Sequence, residues 1–326
     1  MTDAPATPAP AEAPGWWERW VARCSATESA TSLALFRIAV GLVTLFTMGS
    51  VVTTGLVDVL WVDVAYGGML PLEGNWLVAG LGGATPTVIW GLVGSSLLGS
   101  LLVTLGVGGR PVAMVTLLVT TSLVDINGHA GGSYDELLGN AWWLVVLAGG
   151  ERTLSLTARW RTGQWWPQVP VVAFPRWLGI WQLCLMYGST GLQKVSAYWV
   201  PGGDHSALYY IMQQPTWQRG DMSWVAPLFP LTQVATAVTW WWEVTAPLWI
   251  LFVWYAHTPD RPGRLRAWSN RLRLRWVYAG IGAAMHLIIF ATMEVGPFSP
   301  LSMAFYVLLA SPAEWERWLR RAPSSS

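Results

Sequence analysis

Eight stretches of this 326-residue chain are strongly apolar, and their lengths constrain the fold more than any other feature. They run at 33–54, 86–106, 111–126, 136–150, 175–196, 234–255, 276–293 and 298–311. A hydrocarbon core about 30 Å thick takes roughly 20 helical residues to cross. The third, fourth and eighth stretches fall short of that, so they tilt in from the interfaces or pack inside the bundle. Composition agrees. The chain is 53% hydrophobic with a mean hydropathy of +0.40, and its 11% of charged residues compares with roughly 25% in a soluble domain. The expected fold is an all-α integral membrane protein with eight transmembrane helices in one bundle.

The charges give that bundle an orientation. Sixteen basic residues lie before the first segment, after the last, or in the even-numbered loops, whereas the odd-numbered loops hold only Arg219. Basic residues stay on the cytoplasmic side, so both termini are expected there. Dropping any one segment destroys the alternation, which supports the three short ones as well. The odd-numbered loops carry the acids and histidines instead, among them Asp125 and His129. Loops on a rigid scaffold are where chemistry concentrates, so the active face is expected to be extracytoplasmic, on a bacterial inner membrane.

The chain divides into a cytoplasmic tail at 1–32, a membrane domain at 33–311 and a second tail at 312–326. The opening MTDAPATPAPAEAPG is Ala/Pro-rich and lacks the basic and apolar regions of a signal peptide; it reads as disordered. Arginines scattered between apolar runs make no nucleic-acid surface. Cys24 and Cys184 make no disulfide framework. GLGGATP lacks the lysine of a phosphate loop, DINGHAGGSYDE lacks EF-hand spacing, and no Cys/His spacing suits zinc, so no metal site is expected.

Four polar residues within the segments cost free energy to bury there. Intramembrane ionisable groups cost roughly 2.5–3.5 kcal/mol on insertion scales, which makes each a functional candidate. Arg37, one turn from the cytoplasmic end, reads as a snorkelling anchor or a structural partner. Glu243, in TWWWEVTAP, must be protonated or paired, and Arg37 is one partner for it. His286 is either a packing histidine or a catalyst at the depth of Lys194. Lys194 is the only lysine in the chain; the other eighteen basic residues are arginine. It is either an outer-interface anchor beside Trp199 or a base, because an amine buried in an apolar cavity loses its proton more readily. An anchor could equally be arginine, which favours chemistry. Tyr187, Thr190, Gly191, Lys194 and Tyr198 fall on one helical stripe, with Gln182, Ser189 and Gln193 on another.

Several motifs together resemble the horizontally transferred transmembrane (HTTM) family, which includes the vitamin K-dependent γ-carboxylases. They are LALFRIAVG in the first segment, the YGGMLP turn at 66–71, YGSTGLQKVSAYWVPG around Lys194, the Trp-rich sixth segment, and the His286 segment ending in VGPFSP. The resemblance covers roughly 25–311, and its order and spacing are more specific than any single motif. In the carboxylases a lysine five residues before a tryptophan deprotonates reduced vitamin K, and Lys194 and Trp199 stand in those places.

The resemblance implies an enzyme that uses a reduced, menaquinol-type vitamin K with O2 and CO2 as co-substrates. Its lysine takes the quinol proton, a strong base formed with O2 removes the γ-proton of a peptide glutamate, and the carbanion captures CO2. It implies Lys194 and His286 as catalytic residues, and a cavity drawing on Tyr187, Gln193, Tyr198, Trp199, His129, Tyr134 and Asp125. The partners are the lipid bilayer and a secreted peptide or Glu-containing protein. Two features depart from the carboxylases. Gly132 precedes Ser133–Tyr134 where they carry histidine, with His129 displaced, and the chain is expected to lack their large extracytoplasmic domain. The alternative is a non-catalytic membrane factor for maturation or export of a secreted peptide. ALYYIMQQP after Trp199 is similar to the sporulation-delaying toxin maturation proteins of the same family.

Overall fold

The computed structural model describes residues 15–321; the Ala/Pro-rich start at 1–14 and the last residues, 322–326, lie outside the described residues. The chain is 70% helix and 3% strand. From the N-terminus, α1 (Trp16–Cys24) leads through β1 (Thr27–Ser29) into α2 (Thr31–Thr53), then α3 (Val57–Trp61) and α4 (Trp76–Gly80). The hairpin α5 (Pro86–Leu105) and α6 (Gly109–Val124) is followed by α7 (Ser133–Ala148) and α8 (Leu156–Thr162). Strand β2 (Pro170–Val172) enters α9 (Phe174–Gln193), and α10 (Ala207–Gln213) precedes α11 (Phe229–Val244) and α12 (Pro247–His257). Last come α13 (Arg264–Arg271), α14 (Leu274–Thr292), α15 (Phe298–Tyr306) and α16 (Pro312–Arg321).

Three of these helices, α2, α5 and α14, are long and apolar enough to cross a membrane, which marks a membrane protein. The all-α expectation holds at that level. The sixth apolar segment is two helices rather than one. It breaks at Thr245–Ala246 because Pro247 has no N–H to extend the hydrogen-bond ladder of α11. The eighth is short for a second reason: α15 tightens into a 3₁₀ turn at Val307–Leu309.

Consecutive helices pack as hairpins, α2 on α5, α5 on α6 and α6 on α7, while α9 lies among α7, α11, α12 and α15. The larger core, with Phe36, Trp142, Leu183, Trp249 and Phe305, fills the middle of that second group. A second core, around Met48, Trp61, Val78, Ile89 and Leu123, sits beneath the loop joining α2 to α5. The YGGMLP turn belongs to this loop. A Cβ on Gly68 would lie 1.7 Å from the Val62 carbonyl oxygen, and Gly67 has φ 102°, so both positions require glycine. Asp63 holds the turn by accepting backbone N–H bonds from Leu72 (2.6 Å) and Ala65 (2.8 Å), which keep its carboxyl below the usual range.

Arg37 is neither a snorkelling anchor nor the partner of Glu243. It is 3% exposed and donates to the carbonyls of Val103, Thr104 (2.9 Å) and Leu154 (2.7 Å). Those at 103 and 104 lie in the last turn of α5, where a cation complements the helix dipole; the Val103 carbonyl also accepts the Gly106 N–H (2.9 Å). Gly106 makes the approach possible, since a Cβ there would lie 2.8 Å from Arg37 Nη1.

Two further arginines, counted as loop charges in the sequence, are also buried. The antiparallel β1–β2 pair (Thr27↔Val172) brings Glu28 beside Arg176, which donates to it from Nε (2.7 Å) and Nη2 (2.8 Å). Arg275 is held in the same way by Glu314 of α16 and also donates to the Leu309 carbonyl (3.1 Å). Removing one partner of a buried pair costs roughly 3–5 kcal/mol, far more than replacing both by apolar groups. Glu28→Ala should therefore lower the thermal unfolding temperature in detergent sharply. The double variant Glu28→Leu/Arg176→Met should recover most of that loss.

Candidate functional site

The outer half of α9 stops earlier than its polar stripe suggests. The helix ends at Gln193, and Lys194 is its C-cap with φ −79° and ψ 78°. Two contacts hold the stop: the Lys194 N–H bonds the Gly191 carbonyl, and the Trp240 indole of α11 donates to the Lys194 carbonyl at 3.2 Å. The following residues fold back as a compact loop. Gly203 fits against the Ala197 carbonyl, where a Cβ would lie at 1.7 Å, and His205 Nδ1 bonds the Trp199 carbonyl at 2.8 Å. Trp199 is thereby set so that the Lys194 ammonium lies 4.7 Å from its ring centroid, a cation–π contact. Tyr198 leaves the stripe and packs on Tyr210 (5.5 Å).

The partner of Lys194 is Glu243. Its carboxylate, in the last turn of α11 just before the break, accepts from Lys194 Nζ. Glu243 is buried and Lys194 is 24% exposed. The two helices meet here because Gly191 has no side chain. A Cβ on it would lie 2.7 Å from the Val244 nitrogen and 2.8 Å from Glu243 Cβ.

Beside the pair is a cavity of about 870 Å³ walled by α9, α10, α11 and α14. One end is polar, formed by Ser189, Thr190, Gln193, Lys194, Thr239 and Glu243. Most of the rest is apolar, with Leu208, Ile211, Ala235, Met285 and Ile289, and Glu136 and Thr292 are further polar residues on the wall. Val238 and Ile288 line the cavity and are also exposed at the surface, so it opens sideways between α11 and α14. A space with one charged, hydrogen-bonding end and a long apolar flank suits an amphiphile.

Behind the wall is a buried hydroxyl–imidazole chain. Tyr187, itself on the wall, bonds His286 Nε2 at 2.5 Å and the Tyr306 hydroxyl at 3.2 Å. His286 is fully buried, and its Nδ1 has no partner among the described residues. Its neighbour is Phe298, with ring centroids 5.2 Å apart, so it reaches the cavity only through Tyr187. Gly282 allows this packing, since a Cβ there would lie 2.0 Å from the Tyr306 hydroxyl and 2.5 Å from Trp242.

Of the residues anticipated from sequence, Lys194, Tyr187, Gln193 and Trp199 line one cavity, and Glu243 joins them. Asp125 and His129 are exposed in the loop after α6, away from the wall, and the His129 N–H caps onto Asn127. Tyr134 is half-buried, packed where Gly296 has no Cβ, one residue from the wall residue Val295. Glu136, not anticipated, brings the start of α7 to the wall. Thr239 and Tyr306 were missed as well. Tyr306 follows the VGPFSP motif on the face of α15 that includes Ser299 and Ser302, so a polar stripe in an apolar segment was the available signal. No protein-family model, curated protein or solved structure matches this chain.

Overpacking a close helix contact costs roughly 1–3 kcal/mol. Gly191→Ala should therefore lower thermal stability by about that amount, whereas Gly280→Ala, with nothing within 4 Å of its Cβ, should not. Differential scanning fluorimetry in detergent checks both.

Proposed function

We propose that this chain is a membrane-embedded enzyme of the vitamin K-dependent γ-carboxylase type, using the Lys194–Glu243 pair as the base toward a reduced quinone. The observation that carries this reading is an ion pair set at the polar end of a mostly apolar, laterally open cavity. Such a space fits a naphthoquinol-type ligand, whose hydroxylated ring would lie against Lys194, Gln193 and Thr190, with its isoprenoid tail leaving between α11 and α14.

The pairing changes what each residue does. A lysine that already donates to a carboxylate is poorly disposed to take a proton itself. The pair can take one, because Lys194 passes its own proton to a Glu243 oxygen as it accepts one from a ligand hydroxyl, and so remains an ammonium. The ammonium then faces the oxygen that lost the proton, and the whole arrangement stays neutral in a low-dielectric site. Tyr187, about two turns before Lys194 on the α9 wall and backed by His286, can orient a ligand oxygen through its hydroxyl. The bound reduced quinone would supply, with O2, the reducing equivalents and base strength needed to remove a peptide glutamate γ-proton. The apolar lining would exclude water that would otherwise quench the carbanion before CO2 adds.

The companion topology is eight membrane-spanning segments with both termini cytoplasmic, in a bacterial inner membrane, and the Lys194 end of the cavity extracytoplasmic. Cysteine accessibility tests it. Single cysteines at Gly202 and Glu73 should react with an impermeant maleimide from outside intact cells, and ones at Gly163 and Arg264 should react only after lysis.

The catalytic reading is tested with membranes containing the protein, reduced vitamin K, bicarbonate, O2 and a Glu-rich peptide, with mass spectrometry of peptide and quinone. Wild type should give carboxylated peptide and the quinone epoxide. General-base catalysis contributes roughly 10²–10⁴-fold, so Glu243→Gln should reduce both products at least 10²-fold. Lys194→Arg should do the same, because a guanidinium, too weakly acidic to exchange its proton, cannot share one with the carboxylate. Equal activity in Lys194→Arg would remove Lys194 from proton transfer. A second reading rests on the pair being mutually satisfied: Lys194–Glu243 would then only bolt α9 to α11, in a factor for maturation or export of a secreted peptide. Well-folded wild type that makes neither product would favour it.

A further inference from the structure

At the arginine-rich end of the bundle, away from the Lys194 cavity, the end of α12, α13, the start of α14 and α16 enclose a second cavity of about 510 Å³. Three arginines line it: Arg273, Arg275 and Arg317. The one acid on its wall, Glu314, is already bonded to Arg275, so the cavity keeps an excess of positive charge. Ser269, also on the wall, is 3% exposed, and its hydroxyl has no partner among the described residues. Arg275 Nε is likewise buried and without a partner among them. Buried polar groups are nearly always satisfied, so two such donors beside excess positive charge call for an acceptor in the cavity.

The surroundings narrow the chemistry of that acceptor. Trp276 and Trp318, with ring centroids 5.5 Å apart, form an apolar flank to the arginines. Tryptophans of this kind sit at the headgroup level of a bilayer. Arg273 occupies left-handed backbone (φ 52°, ψ 40°), a conformation uncommon outside glycine and asparagine, at the tight turn that places it on the wall between α13 and α14. Guanidinium groups match phosphate oxygens in a planar, two-bond geometry, and basic pockets between membrane helices take anionic lipid headgroups.

We propose that this cavity binds a phosphate group, supplied by the headgroup of an anionic phospholipid whose glycerol end lies along Trp276 and Trp318. Arg273 and Arg317 grip the phosphate from the exposed side, and Ser269 and Arg275 Nε donate from the buried side. The bound lipid ties α13 and α14 to α16, and so braces the Arg275–Glu314 contact from outside. The site is independent of the reaction proposed above.

The test uses full-length protein in phosphatidylcholine nanodiscs with or without phosphatidylglycerol, analysed by native mass spectrometry after release. Wild type should retain one phosphatidylglycerol in preference to phosphatidylcholine. The variant Arg273→Gln/Arg317→Gln, at two exposed positions outside the Glu314 pair, should retain at least tenfold less. Arg264→Gln/Arg271→Gln removes the same charge from α13 without touching the cavity and should behave as wild type. Size-exclusion profiles report whether each variant is folded. Displacement of the lipid by millimolar inorganic phosphate that itself raises the unfolding temperature of wild type but not of Arg273→Gln/Arg317→Gln would keep the phosphate site and reassign its source to free phosphate. Equal lipid retention in the two double variants, or no retention of lipid or phosphate by wild type, would overturn the proposal.

Discussion

A charge inside an apolar bundle has to be answered by a fixed partner, because no water is there to do it, and much of this architecture follows from how four cations are answered. Arg37 is answered by backbone carbonyls in the last turn of α5. Arg176 and Arg275 are answered by glutamates that reach in from outside the helices that carry the arginines, one from β1 and one from α16. The Arg176 and Arg275 pairs tie the segments of β1 and α16 to the bundle, and Arg37 ties α2 to α5 and to Leu154. Lys194 is answered differently. Its partner Glu243 lies at a break in a helix and on the wall of a cavity, so the pair is the one of the four that a ligand in that cavity can touch.

The break after α11 sets the position of that pair. The break is packed against both neighbours, α9 and α14. Pro247 ends the helix, the Thr245 hydroxyl bonds Tyr278, and Gly188 gives Pro247 room with its absent Cβ 3.1 Å from the proline ring. Gly191 then allows α9 to approach the last turn of α11. Glycines at contact points serve membrane helices in this way generally, because close backbone approach replaces the hydrophobic drive that lipid cannot supply. A lysine at the end of α9 and a glutamate at the end of α11 become neighbours as a result.

The two cavities divide the molecule by chemistry. Near Lys194 most of the polar groups gather around the ion pair, beside a long apolar flank. Near Arg273 the positive charge exceeds its counter-charge, and the apolar part is a pair of tryptophans. An amphiphile with a hydroxylated head suits the first and an anionic headgroup suits the second.

Helical class and the helices long and apolar enough to cross a membrane were legible in the sequence, because length and hydropathy report directly on what a bilayer accepts. So were Lys194, Glu243, His286 and Arg37 as residues whose burial needed explaining. Their pairing was not. Spacing along one helix reports which residues share a face, and it brought Tyr187, Thr190 and Lys194 together correctly, but it extended that face to Tyr198 past a helix end set by the distant Trp240. Glu243 had two cations to choose from in the sequence, and Arg37 was the wrong one because the backbone of α5 had already claimed it. His129 and Asp125 looked like site residues from their loop alone, and the packing of α6 and α7 turned them outward. The sequence by itself determined that this chain lives in a membrane and which of its side chains are costly there, since that cost belongs to each residue and its segment. Only the tertiary structure decided which charge meets which and where the cavities open, since contacts between segments depend on glycine-sized approaches and a proline break whose consequences are not local.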